Sequence, residues 1–558
     1  MVIPNYLIIN NILDPILNHS KEIEYVYMFL RKYTLISKEW NQSIIVKLQY
    51  RHVNNLERPR TVELIPDFIA LANKYKWYNY RFRIPKPIKD LNEIIRDQVS
   101  QILFNKNTVQ SMTLDQSISQ LKNLESIVVE TSFLDSEELL INQLKSFSNI
   151  DIHIQSLQQK SSKIDFNRIG ELIQNRGVIS LDFWDFSFLG ENRNSFHPNS
   201  LTKITLVEIR MSQWMLKSLL DNSLNCQNIH IQDVILNEDK DHYDKVLEIL
   251  NHASQSMNLQ RVSVSTEDTT SYQTAVDFLS NIKTGTLIVI LDDIEWDNEK
   301  LPDNIPNQWI HSLELYTSKG GIILELWKHK DNIKSILLSD AGKSLVKEFK
   351  NLHTLITKEV DFDSLKQLSG LQYLTLPHLP SSMGVNDLLA LKNFRTIDFH
   401  ELDIGVLNQL LSIPHPSVQS YNILSLQYNE NSIKNDLGLF IKSLSHNTTL
   451  KGLVISDFGY KFNNSYNHCK LYIEILTINK TLHKFILPPP MSNTFKYTTG
   501  MVKEFNELFR INTSIHQIKC FDLPYEYLSS TEITSQIQIK LDLLDVFSKY
   551  NVIINSSI

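Results

Sequence analysis

Leu371-Gln372-Tyr373-Leu374-Thr375-Leu376 reads apolar, two variable, apolar, one variable, apolar. Its second half alternates, and alternation sends successive side chains to opposite faces of a strand. The pattern returns at Leu124-Glu125-Ser126-Ile127-Val128-Val129 and at Leu259-Gln260-Arg261-Val262-Ser263-Val264. With the second apolar residue as marker, sixteen copies fall at Ile127, Ile152, Leu181, Ile204, Ile229, Val262, Ile288, Leu313, Ile336, Leu355, Leu374, Ile397, Leu424, Leu453, Phe485 and Ile518, in steps of 19 to 33 residues. Self-similarity at such a period settles an architecture before any single residue does.

The last three copies are the most alike. They open on Asn447-Thr448-Thr449-Leu450, Asn479-Lys480-Thr481-Leu482 and Asn512-Thr513-Ser514-Ile515, and amphipathic stretches such as Leu437–Leu444 and Val502–Phe509 precede them. This spacing predicts a helix behind each strand. The asparagines are expected where the helices stop, in the left-handed conformation that Asn tolerates. Within a copy, Ile397 and Phe399 are expected in the core and Asp398 on the opposite face. One copy cannot bury its apolar face, but a stack can.

Over roughly residues 106–545 the chain resembles a leucine-rich-repeat solenoid. The resemblance implies an α/β horseshoe, with parallel strands on the concave face, helices behind and a small N-terminal helical module. The usual Asn after each strand is mostly missing, and the copies at Ile288 and Leu355 are weak. An ordinary α/β domain is the alternative architecture.

Composition bounds the function. The 558 residues are 42% hydrophobic and 21% charged, enough to fold and too long for one compact domain unless it is a solenoid. A net charge of −7 gives no basic footprint for nucleic acid. Arg58-Pro59-Arg60 and Arg81-Phe82-Arg83 read as solvated surface. Only Cys226, Cys469 and Cys520 occur, none in CxxC spacing, which fits a reducing compartment. Cys226 and Cys520 stand at core positions of the repeat and read as small buried hydrophobes. Met1–Leu17 lacks the features of a signal peptide, and no apolar run approaches the ~20 residues of a membrane span. The expected compartment is the cytoplasm, with the nucleus as the other option, and the abundant Asn reads as background composition.

The first fifty residues follow another pattern. Ile3-Pro4 is followed by Leu7, Ile8, Ile12 and Leu13 at helical spacing, and Ile36, Trp40 and Ile44 share one helix face. Pro4 suits a first helical turn. Ile3-Pro4 and Ile36-Ser37-Lys38-Glu39-Trp40 resemble the two ends of an F-box, although Ile replaces Leu before the proline and Asp14-Pro15 interrupts the first helix. The resemblance implies docking of residues 1–52 on a Skp-type adaptor of a cullin ligase core, through Ile3, Pro4, Leu7, Ile8, Ile36 and Trp40. The other reading is a helical cap on the open end of the solenoid. Residues 53–105 read as a linker or N-terminal cap, with the Tyr75–Tyr80 aromatic run packed inward rather than stacked on bases, and 546–558 as a C-terminal tail.

No catalytic or cofactor site emerges. Gly320-Gly321 is isolated, and Gly342-Lys343-Ser344 lacks the upstream glycine of a phosphate loop because Leu337 stands there. His242, His252 and His311 lack metal spacing. Asp292-Asp293 reads as a solvated turn, and no Gly-x-Ser-x-Gly elbow occurs. The expectation is a non-enzyme without cofactors.

A partner is expected on the concave face instead. Reading outward positions in order gives a polar first half (Val128, His153, Asp182, Thr205, His230, Ser263). A more apolar middle contains Val289, Glu314, Leu337 and Ile356. The end contains Thr375, Asp398, Ser425, Val454, Ile486 and Lys519. Trp184 and Tyr373 near the strand ends suit anchoring, because aromatic side chains bury much area at little entropic cost. The candidate contacts are His153, Asp182, Trp184, His230, Glu314, Tyr373 and Asp398. Two hypotheses follow: an adaptor that recruits a protein target to a Skp-cullin-F-box-type ubiquitin ligase, or a repeat scaffold without a ligase link. Neither involves nucleic acid or a membrane.

Overall fold

The computed structural model describes residues 26–27, 30, 45–48, 53–55, 59–77, 81–84, 99–104, 121, 123–130, 150–156, 162–174, 177–190, 198–237, 242–291, 294–295, 304–317, 320–338, 346–358, 360, 362–380, 383–428, 433–458, 465–487, 498–519, 539, 542–543, 545–547, 549–550 and 552–555. Ile3, Pro4, Leu7, Ile8, Ile36 and Trp40, the whole F-box-like set, lie outside them, as do Cys520, the Gly342 stretch and Asp292-Asp293. The chain divides into two compact units. The first comprises residues 53–69 and 81–352, and the second comprises 1–52, 70–80 and 353–558.

In the first unit the strands are β1 (Val53–Asn55), β2 (Arg81–Ile84), β3 (Val99–Phe104), β4 (Ser126–Glu130), β5 (Asp151–Gln155), β6 (Ser162–Asp165), β7 (Val178–Leu189), β8 (Lys203–Met211), β9 (Asn228–Gln232), β10 (Ile235–Leu236), β11 (Arg261–Thr266), β12 (Thr270–Ser271), β13 (Thr286–Leu291), β14 (Ile294–Glu295), β15 (Ser312–Tyr316) and β16 (Ser335–Leu338). The long strands pair in parallel and nearly in chain order, from β1 and β2 through β5, β7, β8, β9, β11, β13 and β15 to β16. Short β6 lies against β7, and β12 pairs with β14. The second unit continues with β17 (Thr354–Thr357), β18 (Tyr373–Leu376), β19 (Thr396–Asp403), β20 (Ser420–Gln427), β21 (Gly452–Phe458), β22 (Lys484–Ile486), β23 (Gln517–Lys519) and β24 (Ile553–Asn555), each parallel to the next. Parallel neighbours need a crossover. Long steps use true helices, such as Ile433–His446, and short steps use single turns such as Lys330–Asn332. This is the α/β leucine-rich-repeat solenoid that the repeat implies.

The marker columns hold the core together. Ile229, Val262, Leu287, Leu313 and Ile336 sit on paired rungs and are buried. The helices close behind them. In Thr499–Ile511, Thr498 caps the start by accepting a bond from the Met501 amide (3.3 Å), and Met501, Phe505, Leu508 and Phe509 are buried. That i, i+4, i+7, i+8 spacing is one helix face. Phe505 and Phe509 pack edge-on against Phe547 at 5.5 and 5.3 Å. Cys226 is buried in the core as expected, and burial pushes its thiol up to about 12. Trp77 of the aromatic run is also buried, and its indole N–H donates to the Leu48 carbonyl at 2.8 Å.

Two markers are corrected. On β13, Leu287 pairs with Val262, so Val289 is in the core and Ile288 faces outward. Every residue of Leu287–Leu291 is apolar, so alternation could not fix the register there. On β20, Tyr421 rather than Leu424 pairs with Ile397; Asn422 replaces Ser425 opposite Asp398, and Leu424 is 56% exposed. The asparagines are corrected too. Asn512 is extended (φ −117°, ψ 103°), and among the described residues the non-glycine positive-φ positions are Lys76, Asp185, Glu208 and Asp233. The turns use the Asn side chain instead of a left-handed backbone. Asn479 is buried; its amide donates to the carbonyls of Leu444 (2.6 Å) and Asn447 (2.9 Å), and its oxygen accepts from the amides of Thr481 (2.8 Å) and Leu482 (2.9 Å). These asparagines are thus a hydrogen-bonding ladder and not background composition.

Candidate functional site

The strand face of the first unit is built by the residues between the buried markers. On β5, His153 pairs with Ser180 of β7, because the register skips one residue between Ile152 and His153. The His153 ring nitrogen Nδ1 lies 2.7 Å from the Ser180 hydroxyl. Asp182 falls on the next rung position, opposite Gln155, and continues through Thr205 to His230. The skip therefore sets His153 and Asp182 on adjacent columns, where the sequence had placed them on one.

Trp184 is 47% exposed, yet it is held on three sides. Its indole N–H donates to Asp182 Oδ1 at 2.6 Å; its amide donates to the Ser156 hydroxyl at 2.5 Å, and that hydroxyl donates to the Trp184 carbonyl at 3.1 Å. An exposed ring that is already fixed loses little entropy on binding. Lys203 and Arg261 flank this patch on the column that begins His153, Ser180. They were readable from sequence: each immediately precedes a marker, Ile204 or Val262, and alternation turns it outward. The Ser156 clamp carried no such signal, because it is a contact between residues 28 apart.

The two histidines share an electrostatic character. Burial lowers the His153 pKa, Asp151 opposes that, and Lys203 adds to it. Burial likewise lowers His230, with Asp182 opposing and Lys203 and Arg261 reinforcing. Both imidazoles are neutral near pH 7 and present hydrogen-bonding groups rather than charge.

Further along the same unit the face turns apolar. Glu314 of β15 stands between Ile288 and Leu337 on its rung, three rungs from His230. In the second unit, Tyr373 is 47% exposed on the first column of β18. Asp398 continues the Thr375 rung and accepts a bond from Asn422 Nδ2 at 2.6 Å. Burial raises the Asp398 pKa, although Asn422, Lys484, His400 and Thr375 all favour its charged form. The structure thus brings His153, Asp182, Trp184 and His230 into one patch and Tyr373 and Asp398 onto neighbouring rungs. Glu314 stands apart from the first patch. Among the described residues no group of three or more His, Cys, Asp or Glu could hold a metal ion, and no helix is long and apolar enough to cross a membrane.

No protein-family model matches the chain, and no curated protein matches it in sequence. Solved structures resemble it at a distance. A chain of the mouse RP105/MD-1 complex aligns at a TM-score of 0.41 and 13% identity, over 82% of this chain and 88% of that one. A chain of the TLR13–ssRNA13 complex aligns at 0.38 and 14%, over 80% and 63%. A chain of the yeast Rad7–Elc1 complex aligns at 0.30 and 10%, over 71% and 86%. None of these likenesses assigns a role to this chain.

Proposed function

We propose that the chain is a protein-interaction module that holds a protein target on the strand face of its first unit. The observation that carries this reading is Trp184, half exposed, its indole held by Asp182 and its backbone by Ser156, on the strand face that also carries His153, His230, Lys203 and Arg261. A large held ring on a face of polar groups has the composition of an interface hot spot. In this reading residues 1–52 dock a Skp-type adaptor of a cullin ubiquitin ligase, and residues 53–105 close the near end of the repeat region at 106–545. Tyr373 and Asp398 supply secondary contacts. The chain performs no catalysis of its own.

The second reading, a scaffold whose N-terminal helices only cap the repeats, draws on one observation. Val26, Leu30, Ile45 and Leu48 are all buried, and the Leu48 carbonyl accepts the Trp77 indole N–H. A pull-down with purified Skp-type adaptor separates the two. The ligase reading expects full-length protein to bind and a folded Pro4→Ala/Leu7→Asp/Ile8→Asp variant to lose binding. Absence of binding by both would remove the ligase link and leave the scaffold. The face is tested separately: Trp184→Asp is expected to release co-purifying target while keeping any adaptor bound.

A further inference from the structure

The residue that precedes each strand forms a column of its own. In the second unit its members are chained by backbone bonds: Gln372 N–H to His353 O, Arg395 to Gln372, Gln419 to Arg395, Lys451 to Gln419, His483 to Lys451 and His516 to His483, at 2.7 to 2.9 Å. Five of these seven side chains are Arg, Lys or His and none is acidic. Arg395, Lys451, His483 and His516 are exposed. The His483 and His516 rings touch at 5.3 Å, and Lys484 begins the next strand beside His483.

The repeat does not demand cations there. Among the described residues, the same column of the first unit carries Glu125, Ile179, Thr202, Gln227, Gln260 and Gly285, and turns basic only at His311 and Lys334. Nor does the second unit neutralise them internally. Among the described residues, Arg395, Lys451 and Lys484 make no ion pair, and the acid within electrostatic reach of Lys484 is Asp398, which is already hydrogen-bonded by Asn422. Burial lowers the His483 pKa first, and the neighbouring Lys451 and His516 lower it further, so the standing charges of the edge are Arg395, Lys451 and the adjacent Lys484.

We infer that this strand-entry edge, from Arg395 to His516, docks an extended acidic segment of a partner protein. Rungs about 4.8 Å apart make the row about 19 Å long, and an extended peptide rising about 3.3 Å per residue covers it with about six residues. Lying along the edge, such a segment meets the cations and avoids Glu401, Asp403 and Asp457, which occupy the far ends of the same strands. A nucleic acid suits the row less well. Duplex DNA carries a charge about every 1.7 Å and rewards a broad basic surface, while this row is one residue wide in a chain of net charge −7. The inference concerns the second unit alone and does not depend on the Trp184 patch.

The test is fluorescence anisotropy of full-length protein with labelled octaglutamate, a serine-glycine peptide and an oligodeoxythymidylate, at about 50 mM and about 300 mM salt, where screening differs. Octaglutamate is expected to bind, to weaken at the higher salt, and to lose about ten-fold or more in affinity on Arg395→Gln/Lys451→Gln/Lys484→Gln. A matched charge change elsewhere, Lys217→Gln/Lys347→Gln/Lys503→Gln, is expected to leave it unchanged. Circular dichroism checks that both variants remain folded. Equal loss in both variants, no octaglutamate binding, or tighter binding of the oligonucleotide would each overturn the proposal.

Discussion

Consecutive turns of the second unit solve one problem with two different residues. At Asn447 the side-chain amide reaches back to the Leu411 carbonyl (2.9 Å), and its oxygen accepts the amides of Thr449 (3.1 Å) and Leu450 (2.9 Å). At His415 the ring does the same: Nε2 meets the Leu388 carbonyl (3.0 Å), and Nδ1 accepts the amides of Ser417 (3.1 Å) and Val418 (2.9 Å). Both side chains are buried, and both stand six residues before the buried residue of the next strand, Leu453 or Tyr421. The solenoid therefore requires a donor and an acceptor at this point rather than an asparagine. The difference lies in protons. The asparagine never titrates, whereas His415 can accept two backbone amides only while Nδ1 is unprotonated.

The most disruptive way to break the comparison is Asn479→Ala. It removes four side-chain bonds to the backbone and leaves the Thr481 and Leu482 amides without their acceptor in a buried turn, and should cost about 3 kcal/mol in urea denaturation. His415→Ala removes fewer bonds and should cost about 2 kcal/mol at pH 8. An equal loss from both would mean that the ladder behaves as one cooperative unit.

A sharper test is His415→Asn, which should stay within about 1 kcal/mol of the parent at pH 8 and differ below it. Burial lowers the His415 pKa from its ordinary value of 6.5, outweighing the bond to Leu388. The unfolded chain takes up this proton near pH 6.5, and the folded chain only at lower pH. Between the two values the unfolded state holds more protons, so stability falls as pH drops below about 6.5 and levels off beneath the folded value. His153, His230 and His483 shift in the same direction. The difference between parent and His415→Asn isolates one histidine, and parallel pH profiles would refute its role.

The smallest effect is expected in the first unit, at strand residues held with positive φ. Asp185 within β7, Glu208 within β8 and Asp233 just after β9 have φ of 51°, 55° and 47°. Asp tolerates that region better than Glu. Glu208→Asn should therefore raise stability by up to about 1 kcal/mol, read as a higher midpoint temperature. A lower midpoint would mean that the Glu208 side chain contributes more than its backbone strain costs.

Much of this was legible in the sequence. At Leu374-Thr375-Leu376 and Ile397-Asp398-Phe399, where apolar and polar residues alternate, markers and outward residues fall where alternation places them. The two slips have separate causes. Leu287–Leu291 is apolar on both faces, so period two is silent. At β20 the turn histidine occupies the asparagine slot; counting six residues from His415, as from Asn447, gives Tyr421 and would have rejected Leu424. The cations at Lys203, Arg261, Lys451 and Lys484 could be placed on strand faces or entries from their distance to a marker.

The sequence by itself determined that apolar positions recur at a spacing only stacked strands can bury, and hence the parallel α/β repeat. Short-range periodicity suffices for that, because each strand chooses its buried face locally. Only the tertiary structure decided which outward residues meet. The skip between Ile152 and His153 moves Asp182 to the neighbouring column, the Ser156 hydroxyl locks Trp184 from 28 residues away, and the strand-entry cations line up because backbone bonds hold successive turns at one spacing. These are relations between rungs, fixed by hydrogen bonds across sequence separations that no local pattern encodes.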